Sequence, residues 1–554
     1  MVTTAPAFDA WLDDFFRSYH AHRPVNASFI GEHEHDPRLP DFGESAVGDV
    51  VADMDDLLAR LATLPREELT SAQALDRRMA EGFLRIQRWE YASQHHHRGN
   101  PSLYTGEAVF GVFSLFLTPY APVGERVEAA RARLAAIPRL LEQGRANVAA
   151  AHPEWTQRAL RECRGALAFL EDGVDLLAAE QGFEAAALRR EADAAAGAFS
   201  DFRSHLEGTL LSRPRHGVAC GDGALDLHLR WGHFLDRDAD AVAAYAQERM
   251  SEARAWLAEH AADFGAASPA QALAGLADLH PTRGGYYLRY QETWDHVRAL
   301  ARREDLVTWP EAPLRYAPRP RWTREAAPDL YFLFYRSPAA VARPPVHDYL
   351  VTPLDDDLGD ADAEALLRAN NDSVIKLNHV VHHGGIGHHV QNGHAFRSAS
   401  RIGRVAAVDC ASRIALFCGG TMAEGWACYA TDLVAEFGGL TPLERYAEVH
   451  ARVRMAARTV VDVRLHQGRI TLDEAAEYYV RTTGMSAAAA RGEAVKNSMF
   501  PGAAVMYLMG TDAIHGLRSD VAKRVGSGFS LRRFHDDFLA YGSVPVTLVA
   551  DDML

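Results

Sequence analysis

Apolar residues at Val127, Ala130, Leu134, Ile137, Leu141 and Val148 recur at steps of three, four and seven, with Glu and Arg between them. That spacing puts one apolar stripe along a helix, and it predicts a chain whose core is made by helix faces. Pro138 falls inside the pattern, so a kink is expected there. Residues 158–212 are rich in Ala, Leu, Glu and Arg and predict two long helices broken near Gly182. Residues 444–467 and 502–525 read the same way.

Strand signals are few. Residues 330–335 (LYFLFY) and 348–352 (DYLVT) are short and aromatic or β-branched, and they are expected to pair as a small sheet. Five prolines between Pro310 and Pro328 predict a loop. This is the expected boundary between a mainly helical N-terminal half, residues 1–310, and a C-terminal half, residues 311–554. The second half would carry the small sheet, the chemistry-bearing helices and the C-terminal helices. A length of 554 residues suggests three or four domains, or fewer if helices share one core.

Charge and cysteine usage narrow the function classes. The formal net charge is −16, and only three of the basic residues are lysines, Lys376, Lys496 and Lys523. Nucleic-acid binding needs clustered cations, so no such partner is expected. The five cysteines, Cys163, Cys220, Cys410, Cys418 and Cys428, form no CxxC pair, which argues against a disulfide framework or a zinc knuckle. No apolar run of membrane-spanning length occurs, and the acidic N-terminal stretch does not read as an export signal. A cytoplasmic protein without a membrane partner is the expectation; the oligomeric state is not legible.

Six of the 26 histidines fall between His379 and His394, in the segment NHVVHHGGIGHHVQNGH. Imidazole suits Zn, Fe, Cu or Ni, and such a density points to a metal site. Two pairs could converge. His379 and His383 have the i, i+4 spacing of a helical clamp, with Val380 where a base would stand. His382 and His388 are six apart, which a straight helix would separate, but Gly384, Gly385 and Gly387 could supply a bulge. Spacing leaves both pairs open.

Further on, Thr421-Met422-Ala423-Glu424-Gly425-Trp426-Ala427 has two readings. Thr421 and Glu424 fit a capping box at the start of a helix. Glu424 also fits a carboxylate ligand from a second helix. Cys428, one turn on, is a conceivable thiolate ligand but reads better as a small core residue. His95-His96-His97 is expected on a solvated face, and Asp462 with His466 as a hydrogen-bonded pair on a helix surface.

These segments resemble the bacterial domain-of-unknown-function family 885, whose pattern is roughly H-E-x-x-P-G-H-H-L-Q followed by E-G-W-A. The resemblance extends over nearly the whole chain. It includes Gly31–Asp41, Asn100–Tyr104, Asp305–Thr308, Tyr349–Pro353, Pro501–Tyr507 and Leu531–Asp536. The family is similar to helical gluzincin-type metallopeptidases. It therefore implies a mainly α, zincin-like fold with a small sheet beside a metal cleft. The resemblance assigns His382 and His388 as metal ligands, Glu424 as the third ligand and a divalent metal, zinc first and iron or another transition metal second. Tyr507 has two readings: its hydroxyl could stand near a developing oxyanion, or its ring could pack on a helix beside Met506 and Leu508.

Three positions depart from the pattern. His383 stands where the family has the glutamate that serves as general base, Ile386 replaces a proline and Ala503 a glutamine. The expected function is a metal-dependent hydrolase-like protein, acting on a peptide or small molecule, with its peptidase chemistry altered or lost. His383 is either a substitute base or a further ligand. The alternatives are a non-hydrolytic metalloenzyme acting on a small molecule and a metal-binding pseudoenzyme.

Overall fold

The computed structural model describes residues 4–326, 341, 346–405, 409–410, 413–414 and 418–554. The chain divides into two compact units. The first comprises Met1–Val218 with Arg319–Pro345 and Val408–Leu416; the second comprises Ala219–Pro318, Val346–Ala407 and Phe417–Leu554. The boundary expected at 310/311 lies inside the second unit, because the proline-rich stretch there enters a sheet rather than a linker.

The first unit is helical, as the periodicity predicts. Its helix Pro101–Phe113 is buried at every position, enclosed by the helices Val123–Asn147, Pro153–Ala168 and Ala186–His205. The first of these runs through Pro138. The second continues through a π-helical turn, Phe169–Gly173, to Gln181 and stops at Gly182, whose φ of +76° caps it. His95, His96 and His97 are not solvated: they are 9%, 2% and 3% exposed. They form a turn instead of a helix, so their rings pack against Trp155, Phe42 and Tyr91. His95 Nε2 also reaches the Val218 carbonyl oxygen at 2.9 Å.

The second unit is built on the helices Ala239–His260, Tyr286–Arg303, Gly420–Glu436, Pro442–His466, Ala487–Met499 and Val505–Val525. Thr441 and Glu444 cap the fourth of these reciprocally. The helices Gly420–Glu436 and Val505–Val525 touch backbone to backbone. A Cβ on Gly510 would lie 2.2 Å from the Thr421 carbonyl oxygen, and one on Gly425 would lie 2.6 Å from the Gly510 carbonyl carbon. Two glycines thus set how closely the Glu424 and Tyr507 helices approach.

Among the described residues, the strand expected near 348–352 is present and has a partner that the sequence reading did not name. Strand His347–Val351 pairs in parallel with Leu314–Pro318, with Tyr316 beside Tyr349. The expected strand at 330–335 lies outside the described residues. Leu314–Pro318 falls in the stretch expected to be loop: its Leu314 and Tyr316 pair against the buried His347 and Tyr349 despite the flanking prolines. Among the described residues no helix is long and apolar enough to cross a membrane.

Candidate metal centre

The histidine segment begins as a π-helix, Ile375–Gly384, and resumes as an α-helix, His388–Ala395. Between them the chain folds back on itself. The Gly387 amide donates to the Val381 carbonyl at 2.9 Å, and a Cβ on Gly387 would lie 1.9 Å from the His382 carbonyl oxygen. Only glycine fits this approach. Two indoles pin the bend: Trp294 Nε1 donates to the Gly384 carbonyl at 2.7 Å, and Trp426 Nε1 to the Ile386 carbonyl at 2.8 Å. The glycines do supply the bulge that a straight helix lacks.

The bend brings His382 and His388 face to edge, with ring centroids 4.9 Å apart. His383 joins them at 4.5 Å from His382 and 5.3 Å from His388. One ligand nitrogen from each of the three lies within 4.8 Å of the others. From the neighbouring helix, Glu424 Oε2 lies 3.2 Å from His382 Nε2 and 3.7 Å from His388 Nε2. These separations suit a shared cation, since donors bonded at roughly 2.1 Å in a tetrahedron stand about 3.4 Å apart. Glu424 Oε2 is buried and accepts no hydrogen bond. A buried carboxylate oxygen without a donor is costly unless something positive meets it.

Electrostatics agree with this donor set. Burial disfavours ionised Glu424, yet His388 and His382 hold its carboxyl well below the usual range. Burial lowers the pKa of His382, and burial together with His382 and His388 presses His383 well below its ordinary value. A lowered imidazole pKa leaves neutral nitrogen lone pairs at neutral pH, the form that binds a metal. The side chains of His382, His388 and Glu424 keep 14%, 12% and 15% exposure, enough for a small ligand to reach them.

The other histidines face elsewhere. His379 Nδ1 meets the Tyr349 hydroxyl at 2.6 Å, His389 Nε2 the Ala312 carbonyl at 2.8 Å and His394 Nε2 the Thr308 carbonyl at 2.8 Å. The π-helical winding therefore excludes the i, i+4 clamp of His379 and His383. Cys428 is a buried free thiol whose Sγ lies 3.9 Å from His382 Nδ1, and burial raises its pKa far above the thiol range. It packs behind the His382 ring.

Thr421 does not cap its helix. Gly419 is the N-cap, and the Thr421 hydroxyl instead accepts the Val546 amide at 3.3 Å. The capping-box reading of Glu424 therefore fails. Asp462 and His466 are both fully buried rather than on a helix surface. Asp462 accepts the amides of Gly502 and Ala504 at 3.0 and 2.7 Å, and His466 Nε2 meets the Asn497 carbonyl at 2.9 Å. Asp462 thus holds the turn that leads into the Tyr507 helix and orients no candidate ligand.

Tyr507 lies under Arg458, whose guanidinium carbon is 5.2 Å from the ring centroid. Glu493 grips the same guanidinium through both oxygens, at 2.8 and 2.9 Å. Motif reading missed Arg458 and Glu493, because neither belongs to the histidine or EGWA segments. The only signal was Arg454 and Arg458 standing one turn apart on a predicted helix.

Two solved structures share this architecture. One is a lipoprotein candidate of unknown function from Shewanella oneidensis, with a TM-score of 0.79 at 20% identity, matching 99% of each chain. The other, a lipoprotein candidate from Colwellia psychrerythraea, has a TM-score of 0.81 at 16% identity and matches 100% of this chain and 99% of its own. At these identities the likeness shows a common fold. No curated protein matches. The model of the family described as bacterial protein of unknown function, DUF885, matches residues 24–553, and the chain belongs to that family.

Proposed function

We propose that the chain is a metalloprotein of zincin-like descent, in which His382, His388 and Glu424 hold a divalent metal and ordinary peptide hydrolysis is altered or lost. The observation that carries this reading is the orphaned Glu424 Oε2 lying between two imidazoles, 3.2 Å from His382 Nε2 and 3.7 Å from His388 Nε2. A bound divalent cation would supply Lewis acidity to a polar substrate bond. The chain's own residues orient and shield the site, but His383 brings no carboxylate to accept a proton.

Metal analysis of the purified protein tests this reading. We expect about one zinc or other divalent transition metal per chain, and its loss in Glu424→Gln and His388→Ala. Metal-free wild type, refractory to reloading, would refute it.

A second reading has its own observation. His383 donates Nδ1–H to the Asn378 carbonyl at 2.7 Å, which leaves Nε2 as its binding nitrogen. Four protein donors would close a tetrahedral zinc site, whereas iron, nickel or copper would keep open positions. Iron or copper in the purified chain would favour a non-hydrolytic enzyme acting on a small molecule. The reading also keeps the chain in the cytoplasm, on the strength of its free thiols.

A further inference from the structure

Five tyrosines of the second unit touch one another in an unbroken series. Ring centroids are 5.1 Å apart for Tyr287 and Tyr286, 5.4 Å for Tyr286 and Tyr290, 5.3 Å for Tyr290 and Tyr316, and 5.1 Å for Tyr316 and Tyr349. Every step lies within the roughly 4.5–7 Å span of favoured aromatic pairs. The series has two distinct ends. Tyr349 stands edge-on to His383 at 6.0 Å, centroid to centroid, and the Tyr316 hydroxyl is seated on Gly384, where a Cβ would lie 2.3 Å from it. Tyr287, at the other end, is half-buried beside the exposed Leu288.

Packing alone does not ask for tyrosine here. Tyr286, Tyr290 and Tyr349 are fully buried, and a buried hydroxyl is costly unless bonded, so phenylalanine would fill the same space without that cost. The hydroxyls find partners inside the group: Tyr286 and Tyr290 meet at 3.2 Å, Tyr316 donates to the His379 carbonyl at 3.4 Å, and Tyr349 meets His379 Nδ1 at 2.6 Å. With its own proton on Nε2, His379 presents Nδ1 as a base at the Tyr349 O–H. What a phenol offers and a phenyl ring lacks is one-electron oxidation, which proceeds readily when a base can take the O–H proton.

We propose that these tyrosines form an electron path from the surface at Tyr287 to the candidate metal centre, through which the site reduces a peroxide. The proposal rests on the second reading above, with iron or copper bound and His383 a ligand. A peroxide is an oxidant small enough for a site whose side chains keep only 12% to 15% exposure. Hydrogen peroxide takes up two electrons and two protons; its O–O bond breaks and two waters form. Each electron leaves Tyr349 as its O–H proton moves to His379 Nδ1, and the proton returns when the next tyrosine reduces Tyr349 again. Each phenol is restored in this way by its neighbour until the electron deficit reaches Tyr287. Tyr287 releases its O–H proton to solvent, and solvent supplies the centre with one proton per electron. An external reductant of the ascorbate or thiol class re-forms the Tyr287 O–H by giving one hydrogen atom.

The test is radical trapping on the full-length chain. Wild type reconstituted with iron(II) is treated with hydrogen peroxide and a nitroso spin trap, and the adducts are mapped by peptide mass spectrometry. We expect an adduct on Tyr287. Tyr349→Phe and Tyr290→Phe, which each remove one oxygen and keep the ring, should lower it by about 10-fold or more, the rate equivalent of even a small added barrier. Oxidation should then collect on His382 and His383. Tyr541→Phe, outside the series, should leave the Tyr287 adduct unchanged, and zinc-loaded wild type should give none.

Equal labelling of Tyr287 in wild type and both variants would overturn the path, as would labelling of the zinc form or no tyrosine adduct in the iron form. Thermal melting shows that each variant is folded, and metal content of the same samples separates the two failures. Iron bound without an adduct removes the path and leaves the metal centre. No uptake of iron or copper removes the iron or copper reading and the path with it.

Discussion

The Nδ1 of His383 lies 2.7 Å from the carbonyl oxygen of Asn378. A carbonyl only accepts, so Nδ1 carries the ring proton and Nε2 keeps the lone pair. The same ring stands within 5.3 Å, centroid to centroid, of both His382 and His388. His383 is therefore fixed in the tautomer of a ligand, and its depressed basicity makes it a weak proton acceptor.

Placing a carboxylate at position 383 tests that consequence. His383→Glu should keep the metal and raise hydrolysis of simple peptides above wild type, within the 100- to 10,000-fold span typical of general acid–base catalysis. Initial rates on a fluorogenic peptide panel check it. Efficient cleavage by wild type that His383→Glu abolishes would show that His383 is itself the base or an essential ligand.

Tyr507 is tested in the His383→Glu background. If its hydroxyl stabilises an oxyanion, Tyr507→Phe should lower kcat by about 100-fold with little change in KM, in line with loss of a single oxyanion donor. An unchanged kcat would reduce Tyr507 to the ring that Arg458 packs upon.

Gly387→Ala should damage the site without touching a ligand. Its new Cβ would meet the His382 carbonyl oxygen at 1.9 Å, and backbone cannot yield as a flexible side chain does. We expect a loss of about 2 kcal/mol or more in stability and a fall in metal content. Thermal melting and metal analysis read the two effects; a variant with wild-type melting and full metal would contradict the tight bend.

Asp462 makes a pH-dependent prediction. Burial pushes its carboxyl from the ordinary 3.8 up to about 7, against amide hydrogen bonds from Gly502, Ala504 and Val505. A raised folded-state pKa means the folded chain holds the proton more tightly. The resulting stabilisation is complete below pH 4 and disappears as pH rises through 7. Asp462→Asn removes this titration, so its Tm relative to wild type should be higher at pH 8 than at pH 5. Buried histidines titrate in both proteins and cancel in the difference. A pH-independent difference would place the Asp462 pKa near its ordinary value.

The helices were legible from sequence because their apolar period is a local property: residues 127–148, the break at Gly182 and the span 444–467 all appear where the spacing put them. His382, His388 and Glu424 were named in advance, through the family pattern and the glycines between the histidines. What only tertiary structure decided are relationships between distant segments. Among the described residues strand 347–351 pairs with Leu314–Pro318, and pairing depends on which segments meet in the fold. His95–His97 are buried and Thr421 does not cap its own helix, because burial and side-chain bonds were set by Trp155, Phe42 and Val546 from other elements. The choice between two histidine pairs turned on π-helical winding, which the sequence signals only as a run of glycines.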